Sequence, residues 1–259
     1  MAASLALTGL VVATIFLLTR PTATSATSVC TAVRGPGSAR VSLTPEQSQN
    51  ASIIAGVALK MGLPDHAVTI ALATAMQESR LRDLNYGDRD SLGLFQQRPS
   101  QGWGTPSEIL DPEYATSVFY GHLVQLPGWA GMAVTDAAQA VQQSGSPAAY
   151  AHWEQQARTL AIALTGEAPG AFTCRLAGFA GPVPLPAALP TAASQELGPN
   201  RIGVPLDPRA GWVVANWIVA HAWQYHVRQV AFAGWIWTEG TGSWTHTSLV
   251  AGRAAVIYG

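Results

Sequence analysis

Residues 43–168 carry a succession of helix start and stop signals, which constrain the fold more than any other feature of the sequence. Thr44, Pro45 and Gln47 form the pattern of a capped helix start, and Gly62 is placed to end that helix. Further helices are predicted over residues 65–81, 111–125, 136–143 and 147–164. Because their connections are short apart from one long loop, this region is predicted to be a mainly α-helical domain.

An apolar or neutral run precedes the helical region, at residues 4–19, and Arg20 follows it. It is long for the core of a signal peptide and short for a membrane span, and small residues at Ala23, Ser25 and Ala26 suit signal peptidase. Residues 1–26 are therefore predicted to be a signal peptide or an N-terminal membrane anchor. Both interpretations predict an extracytoplasmic protein, either secreted or anchored to the cell membrane.

The two cysteines of the chain, Cys30 and Cys174, lie on either side of the helical region. In an oxidising compartment they are predicted to form a disulfide that ties the two ends of this region together. Closing so long a loop gains up to roughly 5 kcal/mol in the loop-entropy model. The alternative is a pair of unlinked, buried thiols. The first domain is predicted over residues 30–177.

The rest of the chain differs in composition. Residues 178–205 are rich in Pro, Ala and Gly and lack periodicity, which predicts a linker. Residues 206–259 combine a helical stretch with strand patterns and predict a small α+β domain. This domain holds most of the tryptophans of the chain, which either form a compact core or stack on sugars. Its expected partner is the cell wall or a secretion machinery.

Glu78 lies near the predicted end of the second helix. It continues a stripe of small residues formed by Ala67, Ala71 and Thr74. Small side chains let another helix or a ligand approach closely, so the carboxyl is predicted to be partly desolvated. Desolvation raises the pKa of a carboxyl, which suits a general acid at neutral pH. The alternative is a solvated glutamate on the helix surface.

A polar loop follows this helix and includes the sequence Ser-Leu-Gly-Leu-Phe-Gln-Gln at residues 91–97. Gly93 permits close backbone approach, and Leu94 and Phe95 are predicted to anchor the loop in the core. Amide and aromatic side chains nearby suit the hydroxyl and acetamido groups of a sugar. The residues of this kind are Gln96, Gln97, Gln101, Trp103 and Tyr86.

Glu78-Ser79, followed after a loop by Gly93-Leu94-Phe95-Gln96, resembles the soluble lytic transglycosylase and goose-type lysozyme group. The resemblance covers about residues 43–165. It implies a lysozyme-like helical fold that cleaves peptidoglycan between N-acetylmuramic acid and N-acetylglucosamine. Glu78 would be the catalytic acid, and Ser79, Gln96 and Gln97 would position the loop and the sugar.

The match departs from the group's pattern in the later cleft motif. Where the group has Ala-Tyr-Asn-Ala-Gly, this chain has Ala140-Val141-Gln142-Gln143-Ser144-Gly145. Gln142 and Gln143 are the substitutes for the missing sugar contacts. Tyr150 resembles the group's later cleft tyrosine, and a core position is the alternative for it.

Two glycan-cleaving chemistries remain open. Hydrolases use a second carboxylate, roughly 5–5.5 Å away in retaining and 6.5–9.5 Å away in inverting enzymes, and Asp88 and Asp90, together with Asp83, are the candidates. Lytic transglycosylases, which the chain resembles, use one glutamate as acid and then as base on the muramic acid 6-hydroxyl. The transglycosylase is the preferred prediction. A muramidase, or a non-catalytic scaffold that binds the cell wall or serves secretion, is the alternative.

Other function classes lack their signals. The net charge of −1 provides no basic field for nucleic acid. In the acidic run at residues 83–90 the glycine is out of place for a calcium loop, and Leu94 occupies the position of the closing glutamate. Zinc-ligand spacing, phosphate loops and nucleophile elbows are absent from the sequence. We therefore predict no metal and no cofactor.

Overall fold

The protein is described by a computed structural model that covers residues 27–35, 38–145, 147–178, 188–248 and 255–259. The predicted signal peptide or anchor at residues 1–26 lies outside the described residues. In the part of the chain that the structure describes, no helix is long and apolar enough to cross a membrane.

The described residues form a helical body with two small antiparallel sheets. The helices are α1 (Pro45–Met61), α2 (Asp65–Glu78), α3 (Pro106–Ile109), α4 (Pro112–Gln125), α5 (Val134–Gln142), α6 (Glu154–Leu164), α7 (Ala188–Leu197) and α8 (Pro208–Tyr225). The strands are β1 (Val29–Val33), β2 (Arg40–Leu43), β3 (Phe172–Arg175), β4 (Gln229–Phe232), β5 (Trp235–Thr238), β6 (Ser243–His246) and β7 (Ile257–Tyr258). Short 3-10 helices span Pro99–Gln101, Trp129–Gly131 and Pro147–Trp153.

Helix α1 is the centre of the body and has the ends that the sequence predicts. The Thr44 hydroxyl accepts a hydrogen bond from the Gln47 amide, and the Gln47 side chain accepts one from the Thr44 amide. Gly62 ends the helix in the left-handed conformation, with φ of 67°. Helix α1 packs against α2, α4, α6, α7 and α8, so its apolar residues connect most of the core.

The first sheet has the order β2-β1-β3 and joins the two ends of the helical region. Cys30 in β1 lies directly opposite Cys174 in β3, and the two form a disulfide, as predicted. Both cysteines are fully buried. The disulfide therefore crosses the core side of the sheet rather than its exposed face.

The prediction of a linker over residues 178–205 is wrong for Ala188–Leu197, which form α7. Leu189, Ala193 and Leu197 are buried on one face of this helix at the four-residue spacing of an amphipathic helix. The prolines and alanines of the surrounding segment obscured this pattern. A Cβ on Gly56 of α1 would lie 2.8 Å from the Leu197 side chain, so α7 packs very closely against α1.

Residues 206–259 contain the predicted helix and strands, but they share the core of the first region. Helix α8 packs on α1, and the Asn216 side chain donates to the Ala163 carbonyl of α6 at 2.7 Å. The second sheet has the order β6-β5-β4-β7. Its Trp237 indole donates to the Cys174 carbonyl at 3.0 Å, which joins it to β3. One hydrophobic core thus extends across the predicted boundary.

The tryptophans of this region mostly serve that core. Trp212, Trp217 and Trp237 are buried, whereas Trp223 is 52% exposed. The mainly α architecture with a small C-terminal sheet agrees with the predicted class. The lysozyme-like fold itself stays a prediction.

Candidate active site

Glu78 is the last residue of α2, and its side chain is partly buried. The predicted stripe of small residues exists, since Ala67, Ala71 and Thr74 are all buried. The Thr74 hydroxyl donates to the Ile70 carbonyl oxygen at 2.8 Å, so its proton is used within the helix. Burial raises the pKa of Glu78, as the stripe predicts.

Tyr150 contacts this carboxyl directly. Its ring is fully buried, and its hydroxyl donates to Glu78 Oε1 at 2.7 Å. This bond and one from the Gln142 side chain favour the ionised form, so they partly offset the effect of burial on the pKa of Glu78. Burial also raises the pKa of Tyr150 well above its usual value, which keeps the hydroxyl a donor at neutral pH. Tyr150 is therefore placed to orient the carboxyl rather than to bind sugar from an open surface.

Ser79 joins the end of α2 to the loop that follows. It is buried, and its hydroxyl lies 2.7 Å from the Leu94 carbonyl oxygen and 3.1 Å from that of Ala75. Gly93 precedes this contact with φ of 72°, and a Cβ there would lie 2.4 Å from the Ile109 carbonyl oxygen. Ser79 thus positions the loop, and its side chain is not exposed to a ligand.

The loop is held from the other side by α5. Gln142 donates from Nε2 to the Phe95 carbonyl oxygen at 2.8 Å. Phe95 is fully buried and stacks on Phe119 with 4.6 Å between ring centroids. Gln142 therefore fastens the loop backbone to α5, and its side chain lines the same cleft as Glu78.

Gln96 and Tyr86 are both predicted to bind sugar. The Gln96 side chain is bound to the loop backbone, whereas the Tyr86 side chain is exposed. Gln96 has φ of 49° and donates to the carbonyl oxygens of Tyr86 at 3.3 Å and Gly93 at 3.2 Å. A Cβ on Gly87 would lie 2.0 Å from Gln96 Oε1, so this glycine leaves room for the amide. The Tyr86 ring is 63% exposed and is not among the side chains that line the cleft.

Gln97 is buried, in contrast to its predicted role at the sugar. Its Nε2 donates to the Ala115 carbonyl oxygen of α4 at 3.0 Å. Its Oε1 is buried and finds no hydrogen-bond partner among the described residues. Gln97 therefore supports the loop from inside, where a shorter or apolar side chain would leave the Ala115 carbonyl oxygen without this donor.

These groups meet at a cleft of about 480 Å³ with mostly polar walls. The side chains and backbone that line it belong to Glu78, Asp88, Arg89, Ser91, Gln96, Gln97, Arg98, Gln101, Trp103, Gln142, Gln143, Ser144 and Gly145. The Trp103 ring packs against the His122 ring, with 4.4 Å between ring centroids. This contact fixes the orientation of the indole. Amides and a supported indole beside a carboxyl of raised pKa suit an uncharged, hydroxyl-rich ligand.

The candidate second carboxylates differ in the ion pairs and hydrogen bonds that they already make. Asp90 pairs with Arg98 at 2.7 Å and accepts from the Ser100 amide at 2.8 Å. Hydrogen bonds from Ser100 and then Arg98 hold the pKa of Asp90 well below its usual range. Asp88 lines the cleft and lies 4.0 Å from Arg89, with both side chains largely exposed. Asp88 is thus the candidate that shares the cleft with Glu78.

Asp83 lies outside the cleft. Burial, with smaller effects from Glu46 and Asp111, raises its pKa to about 6.

A second cavity, of about 580 Å³, lies between α1, α2 and α8, away from Glu78, and its Asp65 and Arg209 form an ion pair with each other. Within the described ranges, no group of three or more His, Cys, Asp or Glu residues is arranged to hold a metal ion.

Trp153 is a supporting residue that the sequence pattern did not single out. Its indole donates to Gln77 Oε1 at 2.9 Å, and the Arg80 guanidinium lies 4.1 Å from its ring centroid. It therefore contacts the residues on both sides of the Glu78-Ser79 pair. Its place three residues after Tyr150 in a helical segment was the available signal.

No protein-family model matches the chain, and no curated protein matches it. The assignment of a function therefore depends on the residues of this cleft.

We expect Ser79→Ala to lower the free energy of unfolding by about 1–3 kcal/mol, because the buried Leu94 carbonyl loses its hydroxyl donor. Urea denaturation measures this change. Ser194→Ala, at an exposed position of α7, is the matched control and should change stability by less than about 0.5 kcal/mol. Equal effects of the two substitutions would show that Ser79 does not hold the loop.

Proposed function

We propose that this protein is a lytic transglycosylase that cleaves the glycan strands of peptidoglycan. The observation that carries the proposal is the Glu78 carboxyl, which lies in a polar cleft with a raised pKa and a buried tyrosine hydroxyl on one of its oxygens. A carboxyl whose pKa is raised is a better general acid near neutral pH than an ordinary glutamate. Peptidoglycan as the substrate comes from the resemblance of Glu78-Ser79 and Gly93–Gln96 to that enzyme group.

The proposed reaction uses Glu78 twice. The carboxylic acid first protonates the bridging oxygen between N-acetylmuramic acid and N-acetylglucosamine as the bond from that oxygen to the muramic acid C1 breaks. The resulting carboxylate then takes the proton from the muramic acid 6-hydroxyl, whose oxygen bonds to C1. This step closes a 1,6-anhydro ring and returns Glu78 to its acid form without consuming water.

The state of Asp90 supports a mechanism with one carboxylate. Asp90 is held by Arg98 and Ser100, and its low pKa makes it a poor base. Asp88 favours the second candidate function, a muramidase, because it lines the same cleft as Glu78. In that mechanism Asp88 would activate water or stabilise the positive charge that develops on the sugar.

Mass spectrometry of fragments released from purified peptidoglycan separates the two functions. We expect 1,6-anhydro-muramic ends from the wild-type protein and none from Glu78→Gln. Reducing muramic ends that disappear in Asp88→Asn would establish the muramidase instead. Asp90→Asn is the matched control for Asp88→Asn, since its ion pair lies outside the reaction. Absence of release from walls that other lytic enzymes digest would favour a non-catalytic wall-binding protein.

Tyr150→Phe should raise the pKa of Glu78 further, because the hydroxyl that favours the ionised form is removed. If Glu78 acts as the acid, the alkaline limb of the pH–rate profile should then move to higher pH. Tyr114→Phe is a matched control, and a Tyr150→Phe profile identical to wild type would contradict the orienting role.

We also propose an extracytoplasmic location, where this substrate occurs. The Cys30–Cys174 disulfide agrees with an oxidising compartment.

A further inference from the structure

Strand β2 is an edge strand of the first sheet, and in the described part of the chain no other strand pairs with its outer side. Within the sheet, Val33 of β1 donates its amide to the Ala171 carbonyl oxygen, on the side of β3. Because successive residues of a strand direct their backbone groups to opposite sides, Ala32 directs its own toward β2, where Val41 lies opposite it. The N–H and C=O groups of Ser42, the next residue of β2, therefore point away from the sheet.

A cavity of about 280 Å³ runs along this open edge. Three consecutive residues of β2 line it, although alternate side chains of a strand lie on opposite faces, so the cavity lies beside the strand rather than on one face of the sheet. Its other walls come from α1, from α6 and from the residues around the end of α2. The lining residues are Val41, Ser42, Leu43, Gln47, Met76, Arg80, Leu81, Trp153 and Gln156, and none of them lines the cleft around Glu78.

Arg80 supplies the charge of this cavity. Its guanidinium lies 4.1 Å from the Trp153 ring centroid, and the Trp153 indole is itself fixed by its hydrogen bond to Gln77 Oε1. The Arg80 backbone has φ of 58°, and its carbonyl oxygen accepts a hydrogen bond from Gln47 Nε2 at 2.9 Å. Among the described residues, Arg80 forms no ion pair and no Asp or Glu lines the cavity. A positive charge is thus held beside the open edge without a partner of opposite charge.

An extended peptide that carries a carboxylate matches both features. Its backbone can pair with the outward N–H and C=O groups of Ser42 as an added strand, which is a common mode of peptide recognition. Its carboxylate can accept charge-assisted hydrogen bonds from Arg80. The apolar side chains of Val41, Leu43 and Met76 line the same cavity and suit an apolar neighbour of the acidic residue.

A second copy of the chain is a poorer occupant of this edge. Arg40 at the start of β2 is exposed and, like Arg80, forms no ion pair among the described residues. Two copies paired edge to edge would bring these arginines toward each other, and like charges on paired strands repel. A peptide with a carboxylate supplies the opposite charge instead.

We propose that the β2 edge and the cavity beside it bind an acidic segment of a partner protein, which adds a strand to the sheet and places a carboxylate on Arg80. Arg80 follows Glu78 closely in the sequence, but the cavity and the cleft have separate walls. A bound partner would therefore lie beside the proposed catalytic cleft without filling it.

Peptide binding to the full chain, measured by fluorescence polarisation, tests the proposal. The probes are pools of labelled hexapeptides, long enough to span the four residues of β2, with glutamate fixed at each position in turn and Val, Thr or Ser elsewhere. Matched pools with lysine in place of glutamate control for charge. We expect at least one glutamate pool to bind about fivefold tighter than its lysine counterpart, the usual gain from an exposed ion pair of good geometry.

Two pairs of variants locate the binding. Arg80→Gln should weaken binding of that pool by about fivefold, whereas Arg82→Gln, an exposed arginine that does not line the cavity, should change it by less than about twofold. Ser42→Pro removes the outward N–H and spares the bonds to β1, so it should weaken binding by about tenfold or more. Ser42→Ala keeps the N–H and is its matched control.

N-methylation of the best peptide of the pool tests the added strand without altering the protein. Only alternate amides of an added strand face the edge, so methylation should weaken binding by about tenfold or more at every second amide and by less than about twofold at the others. This series decides the question if Ser42→Pro does not fold.

Four results would overturn the proposal. The first is that no glutamate pool binds better than its lysine counterpart, and the second is a folded Ser42→Pro protein that binds as tightly as Ser42→Ala. The third is N-methylation without alternation. The fourth is a concentration-dependent dimer of wild type that Ser42→Pro abolishes, which would assign the edge to a second copy of the chain. These measurements do not involve glycan cleavage, so their outcome is independent of the proposed function.

Discussion

Glu78→Gln is expected to lower the rate of glycan cleavage by roughly 10²–10⁴-fold, the usual contribution of a general acid or base. The amide cannot donate a proton to the leaving oxygen or accept one from the 6-hydroxyl. It still accepts the hydrogen bond from Tyr150, so the unfolding free energy should change by no more than about 1 kcal/mol. Cleavage is measured as release of soluble fragments from purified cell walls.

Glu154→Gln is the matched control for this prediction. Glu154 is exposed at the start of α6 and lies outside the cleft, so the substitution should leave the rate within about twofold of wild type. Wild-type rates from a folded Glu78→Gln protein would remove Glu78 from the mechanism. Loss of activity accompanied by loss of structure would be uninformative, which is why unfolding is measured on the same samples.

Removal of the disulfide is expected to have the largest effect on stability. The paired substitution Cys30→Ala and Cys174→Ala should lower the free energy of unfolding by roughly 3–5 kcal/mol, because the bond closes a loop with a sequence separation of 144 residues. Single domains are stable by only about 5–15 kcal/mol, so the loss is a large share of the total. Urea denaturation with and without a thiol reductant measures it.

The reductant also supplies the control for the disulfide. It should destabilise wild type by a similar amount and leave the double alanine variant unchanged. Two cysteines that remain opposite each other in β1 and β3 after reduction still pack in the core, so any difference between the two experiments reports lost packing. A reductant that has no effect on wild type would show that the bond contributes little to stability.

Much of the candidate site could be predicted from residues that are close in sequence. The small-residue stripe along α2 predicted a desolvated Glu78, and Leu94 and Phe95 were predicted as anchors of the loop. The roles of single polar side chains were harder to predict. Ser79 and Gln97 were expected near the sugar, but both are buried and bind backbone carbonyls. A polar residue in a loop has the same sequence signature whether it supports the loop or faces a ligand.

The ends of α1, Cys174 as the available partner of Cys30 and a carboxyl at the end of a buried helix could all be predicted from residue order. Caps and stripes depend on residues a few positions apart, and two cysteines allow only one pairing. The hydrogen bond from Tyr150 to Glu78, 72 residues away, and the packing of α7 and α8 around α1 could be seen only in the folded chain. Those contacts depend on how whole helices pack, because local composition does not state which apolar faces will meet.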